Sequence, residues 1–453
     1  MDSTWRIISE SDDFSTLYFD GEYYYRVIRP PFRTQAREVL KICLETNFFD
    51  GRVEKVWLLD TNSPEVTLVQ KALPQIPPEN WTLTMLRDAA IFHLQLLDVL
   101  GQSGLTLKDS LPSNYFFTLE GITLIDFTSI VESKELANLM WLKTGNNPNH
   151  PHPVLRSMFL PRFLEPFLMG LFISSDHMRE MLKSEQNFSG SKLVSVQRFT
   201  GLRKAALASL KFSLQLTLRF KTLVAFNFLV RMIFSFSNLD RRSSYSNYYL
   251  QKNENQSTDQ NLEWVAKQRT VYELLLEFKP KQVLDLGSNT GWYSKLASEN
   301  GALVLAADND EGCITELRSE AAIHNLGIIP FYLDISSDIK QFDNRKRTAW
   351  FGSDLVLCLG LIHHLVLGRG HTFEQVAEIL RAYASEILVL EFVGLDDAKI
   401  VEEPEFFPNL SGARQNYTFE KLIIGFQEFF ELIDERESNP FTRKILVFRK
   451  LTL

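Results

Sequence analysis

A short segment joins an acid, small residues and the start of a helix, a combination that can hold a ligand. It runs from Val283 to Tyr293 and reads VLDLGSNTGWY, so an apolar strand leads through a turn into a helix. Gly287 and Gly291 let the backbone turn sharply and approach a ligand, and the amides of the following helix face the same crevice. The segment therefore predicts a binding loop at the carboxyl end of a strand.

A second acid, Asp308, follows Asp285 by 23 residues and ends the next apolar run. An acid at this position can accept hydrogen bonds from both hydroxyls of a ribose. A dinucleotide fingerprint would read G-x-G-x-x-G, whereas Asp285 would repel a pyrophosphate and suits a cationic amine. The loop carries Asn289 at its middle position, and Asn tolerates left-handed backbone angles better than other non-glycine residues.

This loop and the second acid resemble the class I S-adenosylmethionine-dependent methyltransferases, over about Leu262 to Leu453. The resemblance implies the cofactor S-adenosyl-L-methionine and no metal. The loop would hold the methionine part, Asp308 with Asn309 the ribose and the adenine edge, and Asp334 would lie near the adenine. The cofactor-binding residues that the resemblance implies are Asp285, Gly287, Ser288, Asn289, Gly291, Asp308, Asn309, Asp334, Leu359 and Gly360.

A second match lies in the segment DLVLCLGLIHHL, which spans Asp354 to Leu365. Related methyltransferases often carry an Ile-His-His-Leu-like turn here, so the resemblance places His363 or His364 near the transferred methyl group. Histidine is the side chain best suited to accept a proton near neutral pH. The alternative is that the paired histidines cap amides or pack against the loop without any proton transfer.

Glu391 ends the fifth apolar run, at the sheet edge where open α/β folds bind ligands. It could orient or deprotonate an acceptor, and the alternative is a solvated or salt-bridged carboxylate. Basic residues at 345–347, and Arg414 with Tyr417, could frame an anionic acceptor, although short basic clusters are usually solvated. Methyl transfer needs mainly an in-line approach and exclusion of water, so a strong base is optional and the acceptor stays unidentified.

Alternating apolar runs and helix-like segments predict the element order that positions these residues. The pattern is typical of strand-helix-strand units feeding a mainly parallel sheet, so the predicted class is α/β with a Rossmann-like seven-stranded methyltransferase sheet. After Asn416 we expect a helix starting at Thr418 and a closing hairpin with a strand from Arg443 to Arg449. The five predicted strands before it are Gln282 to Asp285, Leu303 to Ala307, Ile328 to Leu333, Asp354 to Leu359 and Ile387 to Phe392.

The N-terminal part carries another polar pattern, in which Asp109 precedes Asn114 by five residues and Asp126 precedes Phe127. Order and spacing resemble protein-kinase-like folds, in which Asp109 would orient a hydroxyl while Asn114 and Asp126 would hold magnesium. The Gly-rich loop, the strand lysine and the His-Arg before the first acid are missing. The alternatives are a degenerate kinase-like docking module, or a turn and a hairpin stabilised by these side chains.

With 453 residues the chain is long for one hydrophobic core, so several domains are expected. We predict an N-terminal α/β domain over 1–150, a helical basic connecting region over 151–250 and the methyltransferase domain over 262–453, with a boundary in the segment 251–261, which has no apolar residue. Leucines at helical spacing among basic residues over 201–242 indicate an amphipathic helix that packs on neighbouring domains or contacts a membrane surface. No stretch there is apolar enough to span a membrane.

The net charge of −8 gives no general electrostatic reason to bind nucleic acid. Three separated cysteines and the absence of a signal-like start favour a cytoplasmic location. The segments LKDSLPSN, LIDFTS and LCLGLIHHL, with the long N-terminal extension, resemble bacterial methyltransferases of the nodulation-protein type. We predict methyl transfer to an unidentified acceptor such as a small molecule; the alternatives are an inactive S-adenosylmethionine-binding scaffold and kinase-like phosphotransfer. Monomer and dimer both stay open.

Overall fold

The computed structural model describes residues 6–9, 14–135, 155–183, 232–233, 264–340 and 351–452. The chain divides into two compact units, Met1–Leu239 and Asp240–Leu453. The predicted boundary at 251–261, the basic group at 345–347 and, apart from 232–233, the predicted basic helix over 201–242 lie outside the described residues. No helix of the described part combines the length and the apolar character needed to cross a membrane.

The N-terminal unit begins with a five-stranded antiparallel sheet in the order β1-β2-β3-β5-β4. Helix α1 (Arg33–Glu45) connects β3 to β4 and buries Val39, Leu40 and Cys43. The five strands are β1 (Arg6–Ser9), β2 (Ser15–Phe19), β3 (Tyr23–Ile28), β4 (Val56–Leu58) and β5 (Val66–Lys71).

Helix α2 (Leu83–Gln102) follows this sheet and starts at Thr82, whose side chain accepts a hydrogen bond from the Met85 amide. Beyond it lie two antiparallel strand pairs, β6 with β9 and β7 with β8. The β7–β8 pair is the hairpin that the sequence offered as one alternative. The remaining elements are β6 (Leu105–Leu107), β7 (Tyr115–Thr118), β8 (Gly121–Leu124), β9 (Ile130–Glu132), a π-helix (Leu155–Leu164), α3 (Glu165–Phe172) and α4 (Ser175–Lys183).

The C-terminal unit is built on a mixed seven-stranded sheet in the order β12-β11-β10-β13-β14-β16-β15. Strands β10 to β14 pair in parallel, and β16 pairs antiparallel with both β14 and β15. The strands are β10 (Gln282–Leu286), β11 (Leu303–Asp308), β12 (Ile328–Tyr332), β13 (Ser353–Cys358), β14 (Ala384–Val393), β15 (Phe430–Glu437) and β16 (Arg443–Lys450). Each of the five predicted parallel strands is therefore present, with its ends displaced by up to three residues.

Helices connect these strands and cover the sheet. The predicted helix after Asn416 is present and starts at Thr418, whose side chain accepts a hydrogen bond from the Lys421 amide. The helices are α5 (Ala266–Phe278), α6 (Trp292–Glu299), α7 (Glu311–His324), α8 (Ile335–Lys340), a π-helical turn (His364–Gly368), α9 (Phe373–Tyr383), α10 (Ala398–Glu402), α11 (Leu410–Ala413) and α12 (Phe419–Phe426).

One face of this sheet carries three acids at its carboxyl edge. Side chains two residues apart on a strand point to the same face. Val283, Val304 and Val389 pack in the core that the sheet forms with α5 and α6. By this alternation Asp285, Asp308 and Glu391 point to the same side, because each lies two or four residues beyond one of these valines.

Candidate active site

The loop after β10 has a fixed backbone. The amides of Gly287 and Ser288 donate to the carbonyl oxygen of Ala307 at 2.8 and 3.0 Å. Asn289 adopts the left-handed conformation with φ 51°, as its residue type allows, and Gly291 has φ 81°. A Cβ at Gly291 would lie 2.4 Å from Cδ1 of the buried Leu317, so glycine is required where α6 begins.

Asp308 at the end of β11 holds this loop as well as facing the crevice. Its Oδ2 accepts a hydrogen bond from the Asn289 amide at 2.8 Å, and its Oδ1 accepts one from the Asp310 amide at 2.8 Å. Burial raises the pKa of the carboxyl to about 6, although these amide hydrogen bonds oppose that shift. Each carboxylate oxygen has a lone pair left, so Asp308 can still accept hydrogen bonds from a ligand.

Asp285 at the end of β10 is a buried acid whose negative charge has few stabilising partners. Its side chain is 2% exposed, and its Oδ2 accepts a hydrogen bond from the Ser294 hydroxyl at 2.6 Å. Burial raises its pKa to about 6, and the charge of Asp308 adds to the shift. The salt bridges among the described residues do not include Asp285. The crevice can therefore accept a cation beside this carboxylate.

The other predicted cofactor-binding residues lie around the same edge. Asn309 follows β11 and is exposed, while Leu359 follows β13 and is buried. Asp334 follows β12 and accepts hydrogen bonds from the Ser336 amide at 3.1 Å and the Ser337 hydroxyl at 2.7 Å, so it fixes the start of α8. Gly360 has φ 65°, and a Cβ there would lie 3.5 Å from Oε2 of Glu391.

The two histidines follow Gly360 and pack in tilted arrangements against one aromatic side chain, Phe407. The ring centres of His363 and His364 are 4.2 Å apart, and both lie within 5.6 Å of the Phe407 ring centre. Burial holds the pKa of His363 well below its ordinary value and lowers that of His364 to about 4. His363 is 3% exposed, and its Nδ1 has no hydrogen-bond partner in the described part of the chain. At neutral pH both rings are neutral, and His363 offers an acceptor or donor to a ligand.

Glu391 at the end of β14 is fully buried and engaged on both oxygens. Lys267 Nζ lies 2.7 Å from its Oε2, and the Ser438 hydroxyl donates to its Oε1 at 2.6 Å. Burial alone would raise its pKa, but the charges of Lys267 and Arg443 and these hydrogen bonds outweigh it, so the pKa is lowered. Glu391 is therefore ionised, as in the salt-bridged alternative. Lys267 had no sequence signal, because it lies 124 residues from its partner.

The segment after β14 is attached to β16 by a buried ion pair. Both guanidinium contacts of Arg443 reach Asp397, at 2.7 and 2.9 Å. Tyr417 is 1% exposed and stacks on Phe392 with ring centres 5.4 Å apart, whereas Arg414 is exposed. Tyr417 therefore packs on the β14 residue Phe392, and Arg414 faces solvent. The sequence did not point to the Asp397–Arg443 pair.

The predicted polar residues of the N-terminal unit also come together. Asn114 Nδ2 donates to Asp109 Oδ1 at 2.9 Å, and the Ser129 hydroxyl lies 3.0 Å from the same oxygen and 2.8 Å from Asp126 Oδ2. Arg26 on β3 forms an ion pair with Asp126 at 3.4 Å. Burial opposes ionisation of Asp126, but Arg26 and the hydrogen bonds outweigh it and lower its pKa. In the part of the chain that the structure describes, no group of three or more His, Cys, Asp or Glu side chains is placed to hold a metal ion.

The C-terminal sheet carries Asp285 and Asp308 on adjacent parallel strands. The resemblance to nodulation-protein-type chains is confirmed by a relative, the nodulation protein NoeA of Rhizobium meliloti (strain 1021). It is 25% identical over 356 residues, which cover 71% of this chain and 69% of that protein. No family model matches the chain.

Solved structures similar to this chain include methyltransferases. Magnesium protoporphyrin IX methyltransferase from Synechocystis PCC 6803, with bound SAH, is 16% identical over 40% of this chain and 81% of its own, with a TM-score of 0.30. TehB from Haemophilus influenzae is 15% identical over 46% of this chain and 67% of its own, with a TM-score of 0.31.

Proposed function

We propose that the C-terminal unit binds S-adenosyl-L-methionine and transfers its methyl group to an acceptor. The observation that carries this proposal is the pair Asp285 and Asp308, which end adjacent parallel strands on one face of the sheet around a glycine-containing loop. Asp285 suits the cofactor's α-ammonium group, and Asp308 suits the two ribose hydroxyls. The resemblance of this loop and of Asp308 to class I methyltransferases supports this assignment.

Unpartnered polar atoms support the fit of such a ligand. The Ser288 hydroxyl and His363 Nδ1 are buried and have no hydrogen-bond partner in the described part of the chain. A buried polar atom without a partner costs about 1–3 kcal/mol, which a ligand can recover. Ser288 belongs to the loop and His363 follows β13, so both lie near the carboxyl edge that carries the acids.

Charge separates this ligand from a dinucleotide. Two carboxylates, at Asp285 and Asp308, face the crevice, and a pyrophosphate placed over the loop would be repelled by both. A sulfonium with an α-ammonium group carries two positive charges, which these acids attract. Binding of this cationic ligand would lower the pKa of these acids, because a nearby cation favours the ionised form of a carboxyl group.

The chain's own residues would position the reactants. When bound, the cofactor supplies an electrophilic methyl group on a sulfonium. Asp285 would hold its amino-acid end and Asp308 its ribose, and neutral His363 would accept a hydrogen bond from the acceptor group. The buried rings of Phe407 and Tyr417 exclude water, which strengthens these interactions.

The N-terminal cluster does not favour a second function. Asp126 already accepts hydrogen bonds from Thr128 and Ser129 and pairs with Arg26, so the chain itself supplies the positive charge that a metal would otherwise bring. Phosphotransfer would require these contacts to be replaced.

Calorimetry on the full chain tests the proposal. We expect S-adenosylmethionine and S-adenosylhomocysteine (SAH) to bind with micromolar affinity, and NAD and Mg²⁺–ATP to show no saturable heat at concentrations about 100 times higher. A preference for NAD would reassign the crevice to a dinucleotide. Binding of Mg²⁺–ATP that disappears in Asp126→Asn would instead support the phosphotransfer alternative.

A further inference from the structure

We propose that Lys267 binds the carboxylate of the cofactor's methionine part, and that Glu391 is the positioning residue that holds Lys267 there. The inference rests on the proposed function, because it assigns a contact to the same cofactor. It adds a residue that lies outside the loop and outside the strand ends, on the first turn of α5.

The strand order sets the direction of the cofactor along the sheet edge. Neighbouring strands run β11, β10, β13 and β14. With the ribose at Asp308 on β11 and the amine at Asp285 on β10, the amino-acid end points away from β11, toward β13 and β14. Glu391 ends β14 on the same face, so the cofactor's amino-acid end and the Lys267–Glu391 pair occupy the same side of the crevice.

Lys267 spans the gap between these strand ends. Its Nζ lies 2.7 Å from Glu391 Oε2 and 5.3 Å from the ring centre of Tyr293, a residue in the first turn of α6. Its charge also acts on Asp285, where it lowers the pKa, and on His363. The ammonium group is therefore in contact with Glu391 on β14 and near Tyr293 on α6, and its charge reaches Asp285 on β10 and His363 after β13. Its side chain retains 15% exposure, whereas Glu391 has none.

The chemistry of an α-amino acid matches this pair of groups. An ammonium group has three N–H donors, and Glu391 takes one of them, which leaves two for a carboxylate. Arg443, whose charge also acts on Glu391, is held bidentately by Asp397 and is less suited to a ligand. Asp285 would bind the ammonium group and Lys267 the carboxylate, so the two residues would contact both charged groups of the cofactor's amino-acid end.

Glu391 explains how a lysine can lie beside a positively charged cofactor. A free ammonium group would repel the sulfonium and the α-ammonium of the ligand. Lys267 and the fully buried carboxylate of Glu391 form a pair with no net charge, so the pair presents N–H donors without adding to the positive charge of the site. The hydrogen bond from Ser438 fixes the orientation of Glu391, so the ammonium group has a defined position.

The test compares the wild-type chain with two variants. Removal of Lys267 alone would leave Glu391 charged and buried, so the Lys267→Gln/Glu391→Gln double variant removes the contact, and Glu391→Gln removes only the residue that holds Lys267 in place. Calorimetry uses three compounds: SAH, its decarboxylated analogue, which keeps the amine, and 5′-methylthioadenosine, which lacks both groups. Thermal unfolding of each variant checks that it folds.

We expect the double variant to bind SAH about 10-fold to 100-fold more weakly than the wild-type chain, with the other two compounds changed by less than about 3-fold. Glu391→Gln should also weaken SAH binding selectively, because Lys267 is no longer held, and an unchanged SAH affinity in Glu391→Gln would overturn the positioning role of Glu391. Equal SAH affinity in the double variant and the wild-type chain would overturn the inference and leave Lys267 as a purely structural partner of Glu391. An equal loss for all three compounds would overturn it too, since the effect would not depend on the carboxylate. If none of the three compounds binds the wild-type chain, the proposed function fails and the inference fails with it.

Discussion

The two units each gather a pair of aspartates, but the surroundings of the two pairs are opposite. Asp109 and Asp126 in the N-terminal unit accept hydrogen bonds from neighbouring side chains, and Arg26 pairs with Asp126. Asp285 in the C-terminal unit is more deeply buried than Asp126, yet it forms no salt bridge with any of the described residues. The pKa of Asp126 is lowered, whereas that of Asp285 is raised to about 6.

This difference distinguishes acids that stabilise the fold from acids whose charge only a bound ligand would compensate. A compensated carboxylate adds to stability, because its ionised form is favoured in the folded state. A buried carboxylate without a cation costs free energy at neutral pH, and a protein keeps it at a site where a ligand brings the missing charge. By this criterion we propose that the crevice at Asp285 is the functional site and that the N-terminal cluster is structural.

The sharpest way to break this comparison is to neutralise one acid in each unit. Asp285→Asn keeps the size and an acceptor for Ser294 but removes the charge, so SAH affinity should fall about 10-fold to 100-fold, equivalent to about 1.4–2.7 kcal/mol. Asp126→Asn should leave SAH affinity unchanged within about 2-fold. Calorimetric titration of the two variants measures this, and equal losses would contradict the division between the sites.

The same two variants should change stability in opposite directions without ligand. The folded-state pKa of Asp285 is raised, so its ionisation costs stability as the pH rises through about 6, and Asp285→Asn should stabilise the folded chain by about 1–3 kcal/mol at pH 7.5. Asp126→Asn leaves Arg26 without its partner and should destabilise by about 1–3 kcal/mol.

Scanning calorimetry of each ligand-free full-length variant and of the wild-type chain gives the unfolding temperatures to be compared. The advantage of Asp285→Asn should shrink as the pH falls below about 6 and vanish near pH 3, where the wild-type carboxyl is largely protonated in both the folded and the unfolded state. A stabilised Asp126→Asn variant would show that the N-terminal cluster is not compensated.

A smaller expected effect is the pH dependence of SAH affinity, which also distinguishes Asp285 from Asp126. Because the pKa of Asp285 is about 6 before binding and a cationic ligand favours its ionised form, SAH affinity should rise about 10-fold from pH 5 to pH 7.5. The Asp285→Asn variant should lose the part of that dependence that Asp285 contributes and keep the part from Asp308, while Asp126→Asn should keep all of it. Titrations in buffers of matched ionic strength measure the slope, and a flat wild-type profile would argue against a charged ammonium at Asp285.

The parallel half of the fold was predictable because its signal is local. Apolar runs such as Val283 to Leu286 are buried on both faces of the sheet, so composition alone located them to within a few residues. Asp308 was predictable for the same reason, since it ends such a run. Its second task of holding the Asn289 amide was not, because that contact depends on how two loops meet.

The parts of the site that could not be predicted from the sequence depend on contacts between distant parts of the chain. Lys267 and Glu391 meet across 124 residues, and Asp397 and Arg443 across 46. Each residue taken alone has an ordinary composition and spacing around it, and only the strand order brings the partners together. The protonation state of His363 also depended on the structure, because burial rather than a neighbouring acid sets it.

The hydrogen bond from the Asn289 amide to Asp308 makes one backbone proton an indicator of the whole crevice. Protonation of the carboxyl weakens its power as an acceptor, and ribose hydroxyls that share the same oxygens leave the loop more firmly held. The exchange rate of this single amide with deuterated water should therefore report both the titration of the acid and the arrival of a nucleoside. An observer could follow occupancy at Asn289 with no knowledge of the methyl acceptor.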